Sequence, residues 1–111
     1  MARTPTTYDP FNAVAEPKRR QVLEALGGSE RSVSQLVSLL GWPQPVVSKH
    51  LAVLKQVGLV HERRDGRRRL YCLDPGQLKP IYDWVASFEQ LWEERFNRLD
   101  EVLQEVQQKE K

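Results

Sequence analysis

The sequence predicts a mainly α-helical fold that carries one small β-hairpin. Apolar residues recur at the spacing of an amphipathic helix in three segments before residue 58. Asp65-Gly66, flanked on both sides by arginines, is a dipeptide that two-residue hairpin turns prefer. A helical period also runs from about residue 76 to residue 107. With 111 residues, the chain is expected to form a single domain over residues 9–111, preceded by a flexible segment at 1–8.

The composition is ordinary for a globular protein, with 40% hydrophobic and 29% charged residues. No apolar run approaches the roughly 18–20 residues of a membrane span. The opening "MARTPTTYDP" has no apolar segment of the kind that a secretory signal contains. The single cysteine, Cys72, excludes an internal disulfide and fits a reducing cytoplasm. We interpret Cys72 as a small buried strand residue, and a redox switch is the alternative.

The positive charge is concentrated in one part of the chain. The formal net charge is only +2, but residues 44–73 carry seven basic and two acidic side chains, which leaves +5. Residues 1–43 come to +1, and residues 74–111 come to −4. This asymmetry predicts an anionic partner for the central segment.

Two helical segments precede the basic region. The first runs from about residue 9 to residue 26 and is broken near Pro17, a residue suited to the first turn of a helix. The second is short, beginning at a capping box formed by Ser32 and Gln35 and ending at Gly41. The side chains expected to be buried by these helices are Val22, Leu23, Leu26, Leu36, Leu39 and Leu40.

A third helix is predicted from about Gln44 to Gly58. Val47, Leu51 and Leu54 form one apolar stripe that should face the core. The opposite face is small or polar near its beginning, as close approach to a DNA groove requires. The residues predicted to contact DNA from this helix are Gln44, Pro45, Ser48, Lys49, His50 and Lys55. For His50, a ring packed against the preceding helix is an equal alternative.

The Asp65-Gly66 turn predicts the register of the hairpin and the position of its arginines. A two-residue turn there pairs residue 64 with 67 and places Glu62 opposite Arg69, a favourable cross-strand charge pair. The side chains predicted to contact DNA from the tip are Arg63, Arg64, Arg67 and Arg68. The alternative is a solvated surface turn. His61 is interpreted as structural.

The C-terminal segment, residues 76–107, is predicted to be one long helix with an apolar stripe along seven turns. Such a stripe exceeds what a small domain covers internally, so we expect it to meet a second copy of the chain. The predicted dimer interface consists of Ile81, Trp84, Val85, Phe88, Trp92, Phe96 and Leu99. A small-molecule pocket lined by the aromatic residues is a less favoured interpretation.

A short helix, a turn, a second helix and a basic hairpin follow one another in the order of a winged helix-turn-helix. The stretch "SVSQLVSLLGWPQPVVSKHLAVLKQVGLVHERRDGRRRLYCLDP" resembles the ArsR/SmtB-type transcriptional repressors. The residues that carry the resemblance are Ser48, His50 and Leu51, then Gly58-Leu59-Val60, then Tyr71 and Leu73. The tail "WVASFEQLWEERFNRLDEVL" is similar to the branch of this family that ends in a Trp-rich dimerisation helix.

The resemblance implies a cytoplasmic, nucleoid-associated homodimer that represses transcription from a palindromic operator in double-stranded DNA. The chain departs from the family at Pro43, where members often have a capping serine. Metal-sensing members have a Cys-x-Cys motif where this chain has Ser32 and Ser34, so neither a metal site nor a cofactor is expected. Whether an inducer exists, such as a small molecule or a partner protein, stays open.

Two other function classes compete with this interpretation. Winged helices also serve as protein-docking modules without sequence-specific DNA binding, although the concentrated charge disfavours that role here. One cysteine, two histidines and no Gly-rich phosphate loop provide little material for catalysis. We therefore expect no enzyme activity and name no catalytic residue.

Overall fold

The computed structural model describes residues 9–109, which form six α-helices, three strands and a short 3-10 helix. In chain order these are α1 (Pro10–Ala15), α2 (Pro17–Leu26), β1 (Arg31–Ser32), α3 (Val33–Leu40), α4 (Gln44–Gln56), β2 (Val60–Asp65), β3 (Arg68–Leu73), the 3-10 helix (Pro75–Leu78), α5 (Lys79–Ala86) and α6 (Glu89–Lys109). The predicted fold class, mainly helical with a small hairpin, is confirmed. The flexible segment predicted at residues 1–8 lies outside the described residues.

The chain divides into two compact units, the first ending at Lys79 and the second beginning at Pro80. The first contains α1 to α4 and the sheet, and the second contains α6 and most of α5. The single domain predicted over residues 9–111 stays a prediction. From residue 9 to residue 109, no helix combines the length and the apolar character needed to cross a membrane.

The break between α1 and α2 follows from Pro17. Proline disfavours helical dihedrals in the residue before it, and Glu16 is extended, with φ −86° and ψ 120°. Pro17 then starts α2, where its missing N–H costs nothing. The side chain of Asp9 caps α1 by accepting a 2.8 Å hydrogen bond from the backbone N–H of Asn12. The predicted break near Pro17 is confirmed.

The predicted capping box at the start of α3 is also confirmed. The backbone N–H of Ser32 donates to Gln35 Oε1 at 2.8 Å, and the backbone N–H of Gln35 donates to Ser32 Oγ at 3.2 Å. Gly41 ends the helix in the left-handed conformation, with φ +71°. Both ends of this eight-residue helix are therefore determined locally by the sequence.

The core of the first unit lies between α2, α3, α4 and the first residues of β2. Its fully buried side chains include Val22, Leu26, Leu36, Val47, Leu51, Leu54, Leu59 and Val60. The prediction that Leu39 is buried is wrong, because its side chain is 56% exposed. Val33, Val37 and Leu40 pack against the core around Leu36, so the inward face of α3 points away from Leu39.

The three strands form an antiparallel sheet in the order β1-β3-β2. Strand β1 was not predicted, because its two residues, Arg31 and Ser32, are too short to show an alternating pattern. They pair with Tyr71 and Leu70, respectively. This pairing holds the beginning of α3 beside the hairpin.

The predicted register of the hairpin is wrong by two residues. Asp65 pairs with Arg68, so Gly66 and Arg67 are the central residues of the turn. Of these two residues, only Gly66 has a positive φ, +63°. One positive φ at the first central position is typical of a type II′ turn, whereas the expected type I′ turn requires two. A shift of two residues leaves each side chain on the same face of the sheet but gives it a new partner.

The prediction of one long helix over residues 76–107 is wrong, because α5 and α6 are separated at Ser87 and Phe88. The hydroxyl of Ser87 donates to the carbonyl oxygen of Trp84 at 2.5 Å. The backbone N–H of Phe88 donates to the carbonyl oxygen of Val85 at 3.1 Å, a tighter spacing than an α-helix has. The apolar period continues across this turn, so the sequence pattern did not reveal it.

Replacement of Leu54 by alanine tests the core. Leu54 is fully buried, so Leu54→Ala should lower the free energy of unfolding by about 3 kcal/mol, measured by urea denaturation. The matched control, Leu39→Ala, removes the same atoms from an exposed position and should cost about 0.5 kcal/mol or less. Equal losses in the two variants would contradict this assignment of the core.

Candidate nucleic-acid interface

The first turn of α4 presents a small, exposed and polar surface. Gln44, Pro45, Ser48 and Lys49 are all exposed. Pro45 and Lys49 lie opposite the buried stripe, Ser48 lies beside it, and Gln44 is the first residue of the helix. Among the side chains of residues 9–109, none caps the helix at Pro43, as the sequence predicted. Proline at the second helical position also removes one of the N–H groups that would need a partner. This face is therefore narrow and uncrowded, which suits insertion into a groove.

His50 does not belong to that exposed surface. Its side chain is only 7% exposed, and its ring lies edge-on to Trp42 with the ring centroids 6.4 Å apart. Within residues 9–109, Nδ1 of His50 has no hydrogen-bond partner. The packed-ring alternative therefore describes this residue, and the structure corrects its inclusion among the predicted DNA contacts.

Burial lowers the pKa of His50 below its ordinary value of 6.5. The positive charge of Arg19 on α2 lowers this pKa further, while Glu16 acts in the opposite direction. Lys18 lies with its ammonium 5.5 Å from the ring centroid of Trp42, which adds another cation close to the imidazole. A neutral His50 is thus the form that fits between α2 and α4.

An ion pair joins α4 to the base of the hairpin. Nζ of Lys55 lies 2.7 Å from Oε1 of Glu62, which faces Tyr71 across the strands rather than the predicted Arg69. The hydrogen bonds from Lys55 and Tyr71 hold the pKa of the Glu62 carboxyl below its usual range. Lys55 was predicted to contact DNA, and this contact stays a prediction for a side chain that already pairs with Glu62.

The wing, defined here as the hairpin of β2 and β3 with its turn, carries five arginines with different surroundings. Arg63 donates to both carboxylate oxygens of Glu30, at 2.5 and 3.1 Å. Arg68 lies 3.5 Å from the carboxylate of Asp65. Across the described part of the chain, no ion pair engages the remaining three, which are Arg64, Arg67 and Arg69.

Arg69 is a residue that the sequence analysis missed. The predicted register assigned it to Glu62, whereas it pairs directly with Arg64 on the neighbouring strand. Directly opposed residues of an antiparallel pair point to the same face of the sheet, so two like charges meet there. Only the correct turn position would have revealed this pair from the sequence.

His61 and Cys72 face each other across the strands, toward the base of the hairpin. Nε2 of His61 lies 2.7 Å from Oδ2 of Asp74, and this hydrogen bond lowers the pKa of the Asp74 carboxyl. Cys72 is half-buried rather than fully buried. Between residues 9 and 109, no group of three or more His, Cys, Asp or Glu side chains is placed to share a metal ion.

The second unit presents an exposed apolar face. None of its described side chains is fully buried. The large exposed apolar side chains are Tyr82, Trp84, Phe88, Leu91, Trp92, Phe96, Leu99, Val102, Leu103 and Val106. An open groove of about 330 Å³ follows this face beside Arg95, and a smaller one of about 170 Å³ lies beside Glu89.

Comparison with known proteins decides the family. A model of bacterial regulatory proteins of the arsR family matches residues 16–62. The transcriptional activator HlyU of Vibrio cholerae is 35% identical over 73 residues, which cover 66% of this chain and 68% of HlyU. The chain belongs to the ArsR family.

Two further proteins resemble the chain, one in sequence and one in structure. The transcriptional repressor SmtB of Mycobacterium tuberculosis is 46% identical over 71 residues, or 64% of this chain and 53% of SmtB. A homodimeric winged helix-turn-helix DNA-binding domain from Mycobacterium bovis is 30% identical, with a TM-score of 0.59. The match to that domain covers 70% of this chain and 75% of the other. The predicted family and the winged-helix fold are thereby confirmed.

The burial of His50 in this ArsR-family protein predicts a pH-dependent stability. Because its pKa in the folded state lies below 6.5, the unfolded chain binds more protons as the pH falls through that value. The free energy of unfolding should therefore decrease from about pH 7.5 to about pH 5.5, and less so in His50→Gln, as measured by urea denaturation. A His61→Gln control measures the contribution of the other histidine. An unchanged pH dependence in His50→Gln would contradict the assignment.

Proposed function

We propose that this ArsR-family protein is a cytoplasmic, nucleoid-associated repressor that binds a palindromic operator as a homodimer. The observation that supports it is the exposed start of α4, which lies in the same compact unit as a wing with three arginines that form no ion pair within residues 9–109. Helix α4 recognises the base sequence, and the arginines of the wing bind the DNA backbone. No catalytic group or cofactor is part of the proposal.

The first turn of α4 enters the major groove, where each base pair presents a distinct pattern of donors and acceptors. Gln44 and Ser48 carry short or medium polar side chains able to donate and accept hydrogen bonds. Lys49 reaches a phosphate beside the groove. The buried stripe fixes the rotation of α4, so the directions in which Ser48 and Lys49 leave the helix are set before DNA binds.

The wing contacts the backbone or the neighbouring minor groove. Arg64, Arg67 and Arg68 are exposed near its tip, and guanidinium groups form paired hydrogen bonds with phosphate oxygens. These contacts supply affinity without sequence selectivity. Arg63 stays a predicted DNA contact, but its guanidinium group would have to leave Glu30 or be shared with it.

The homodimer forms through the exposed face of α5 and α6. The homodimeric domain that resembles this chain supports two copies in the assembly. The proposed interface keeps the predicted residues Ile81, Trp84, Val85, Phe88, Trp92, Phe96 and Leu99. Two copies present two α4 helices, which matches the two half-sites of a palindrome about one helical turn apart.

The DNA-binding surface is tested by two variants with different expected signatures. Arg67→Gln should weaken binding to operator and scrambled duplexes alike and reduce the salt slope of binding by about one. Ser48→Ala should instead change the preferred sequence in a selection experiment. The operator is first selected from random duplexes by the wild-type protein, and binding is followed by fluorescence anisotropy.

The control for both variants is Lys109→Gln, which removes one positive charge from the end of α6. It should leave affinity and sequence preference unchanged. If the wild-type protein selects no sequence, and its binding disappears at physiological salt, the repressor proposal fails and a docking module replaces it. Loss of operator binding on addition of a candidate small molecule would identify an inducer.

The dimer is tested by placing a charge on the apolar face. Phe96 is 64% exposed in the single chain, so Phe96→Glu should leave the fold intact. It should shift the sedimentation profile from dimer to monomer, because a carboxylate would be buried without a partner. Asn97→Glu, which adds the same charge one position away, should stay dimeric. A dimeric Phe96→Glu protein would move the interface elsewhere.

A further inference from the structure

Two arginines oppose each other directly across the wing. Arg64 of β2 pairs with Arg69 of β3, so both guanidinium groups extend from the same face of the sheet. Like charges in this position destabilise a strand pair. The next residue along this face, Glu62, pairs with Lys55 at 2.7 Å and is also attracted by Arg69, without forming an ion pair with it. Within residues 9–109, neither arginine has an acidic side chain as an ion-pair partner.

Arg69 also lines an open groove of about 550 Å³ between the wing and the beginning of α3. The residues that line it are Ser32, Val33, Ser34, Gln35, Arg67, Arg68, Arg69 and Tyr71. Three consecutive arginines form one wall, and no acidic residue is among the lining side chains. Arg64 does not line the groove, although it repels Arg69 from the opposite strand.

The width of this groove is determined by backbone pairing. Arg31 and Ser32 pair with Tyr71 and Leu70, which joins the start of α3 to β3. Nε of Arg31 donates to the carbonyl oxygen of Ala25 at 2.8 Å and anchors the same segment to the end of α2. The two walls are therefore held at a fixed separation before any partner arrives.

We propose that this groove seats a backbone phosphate of the bound DNA, with Arg69 as its principal contact. The inference rests on the proposed function and adds to it a contact on the side of the wing, away from the tip. A phosphate in the groove would neutralise Arg69 and relieve its repulsion from Arg64. Ser34, which is exposed in the opposite wall, supplies a hydroxyl donor to the same phosphate.

The test compares Arg69→Gln, Arg64→Gln and Lys109→Gln in DNA affinity and in thermal unfolding of the free protein. Arg69→Gln should lower affinity about tenfold on operator and scrambled duplexes. Its salt slope should decrease by about one. Its unfolding midpoint should rise by about 2–4 °C, because the like-charge pair is removed.

Arg64→Gln is the matched control, since it relieves the same repulsion but leaves Arg69 in the groove. It should raise the midpoint at least as much, because Arg69 then keeps its attraction to Glu62, and it should lose less affinity. Equal DNA affinity of Arg69→Gln and Lys109→Gln overturns the inference. If Arg69→Gln loses affinity and also unfolds at a lower temperature, Arg69 has a structural role and the inference is overturned as well. In either case, the proposed function survives as long as the wild-type protein prefers operator to scrambled duplex. If the wild-type protein shows no such preference, the proposed function itself fails.

Inorganic phosphate, at constant ionic strength, separates DNA from a free anion as the ligand. Stabilisation of the wild-type protein by phosphate, absent in Arg69→Gln, together with unchanged DNA affinity of that variant, would assign the groove to a free anion and overturn the DNA contact. Stabilisation by phosphate together with the expected tenfold affinity loss supports the inference, because one groove then accounts for both.

Discussion

Val47, Leu51 and Leu54 are almost completely buried along one side of α4, and this packing determines the rotation of the helix about its axis. A helix that is fixed in rotation has a fixed outward face. Ser48 lies beside the buried stripe and Lys49 lies opposite it, and both are exposed for this reason. The proposed reading surface thus depends on hydrophobic contacts made on the other side of the helix.

Backbone hydrogen bonds connect the wing to the C-terminal end of α4. The backbone N–H of Leu59 donates to the carbonyl oxygen of Leu54 at 3.0 Å, and the N–H of Asp74 donates to the carbonyl oxygen of Leu59 at 2.8 Å. Leu59 is fully buried between them. Helix and wing therefore form one compact body, and sequence-reading and charge-bearing groups keep a constant separation.

The sequence predicted the features that are encoded by neighbouring residues. The capping box of Ser32 and Gln35, the break at Pro17 and the buried stripe of α4 depend on spacings of a few residues. The hairpin register was wrong because Asp65-Gly66 and Gly66-Arg67 both accommodate a two-residue turn, and tertiary packing selects between them. The groove could not be predicted, since it depends on the two-residue strand β1.

Because Arg63 pairs with Glu30, the wing presents less positive charge to a partner than its five arginines suggest. Glu30 precedes β1 and neutralises an arginine that lies far from it in sequence. A substitution at Glu30 would release that guanidinium and strengthen the field around the wing, although position 30 itself touches no DNA in the proposed interface. Affinity in such a domain can consequently evolve at positions outside the binding surface, by changing which of its cations are already neutralised.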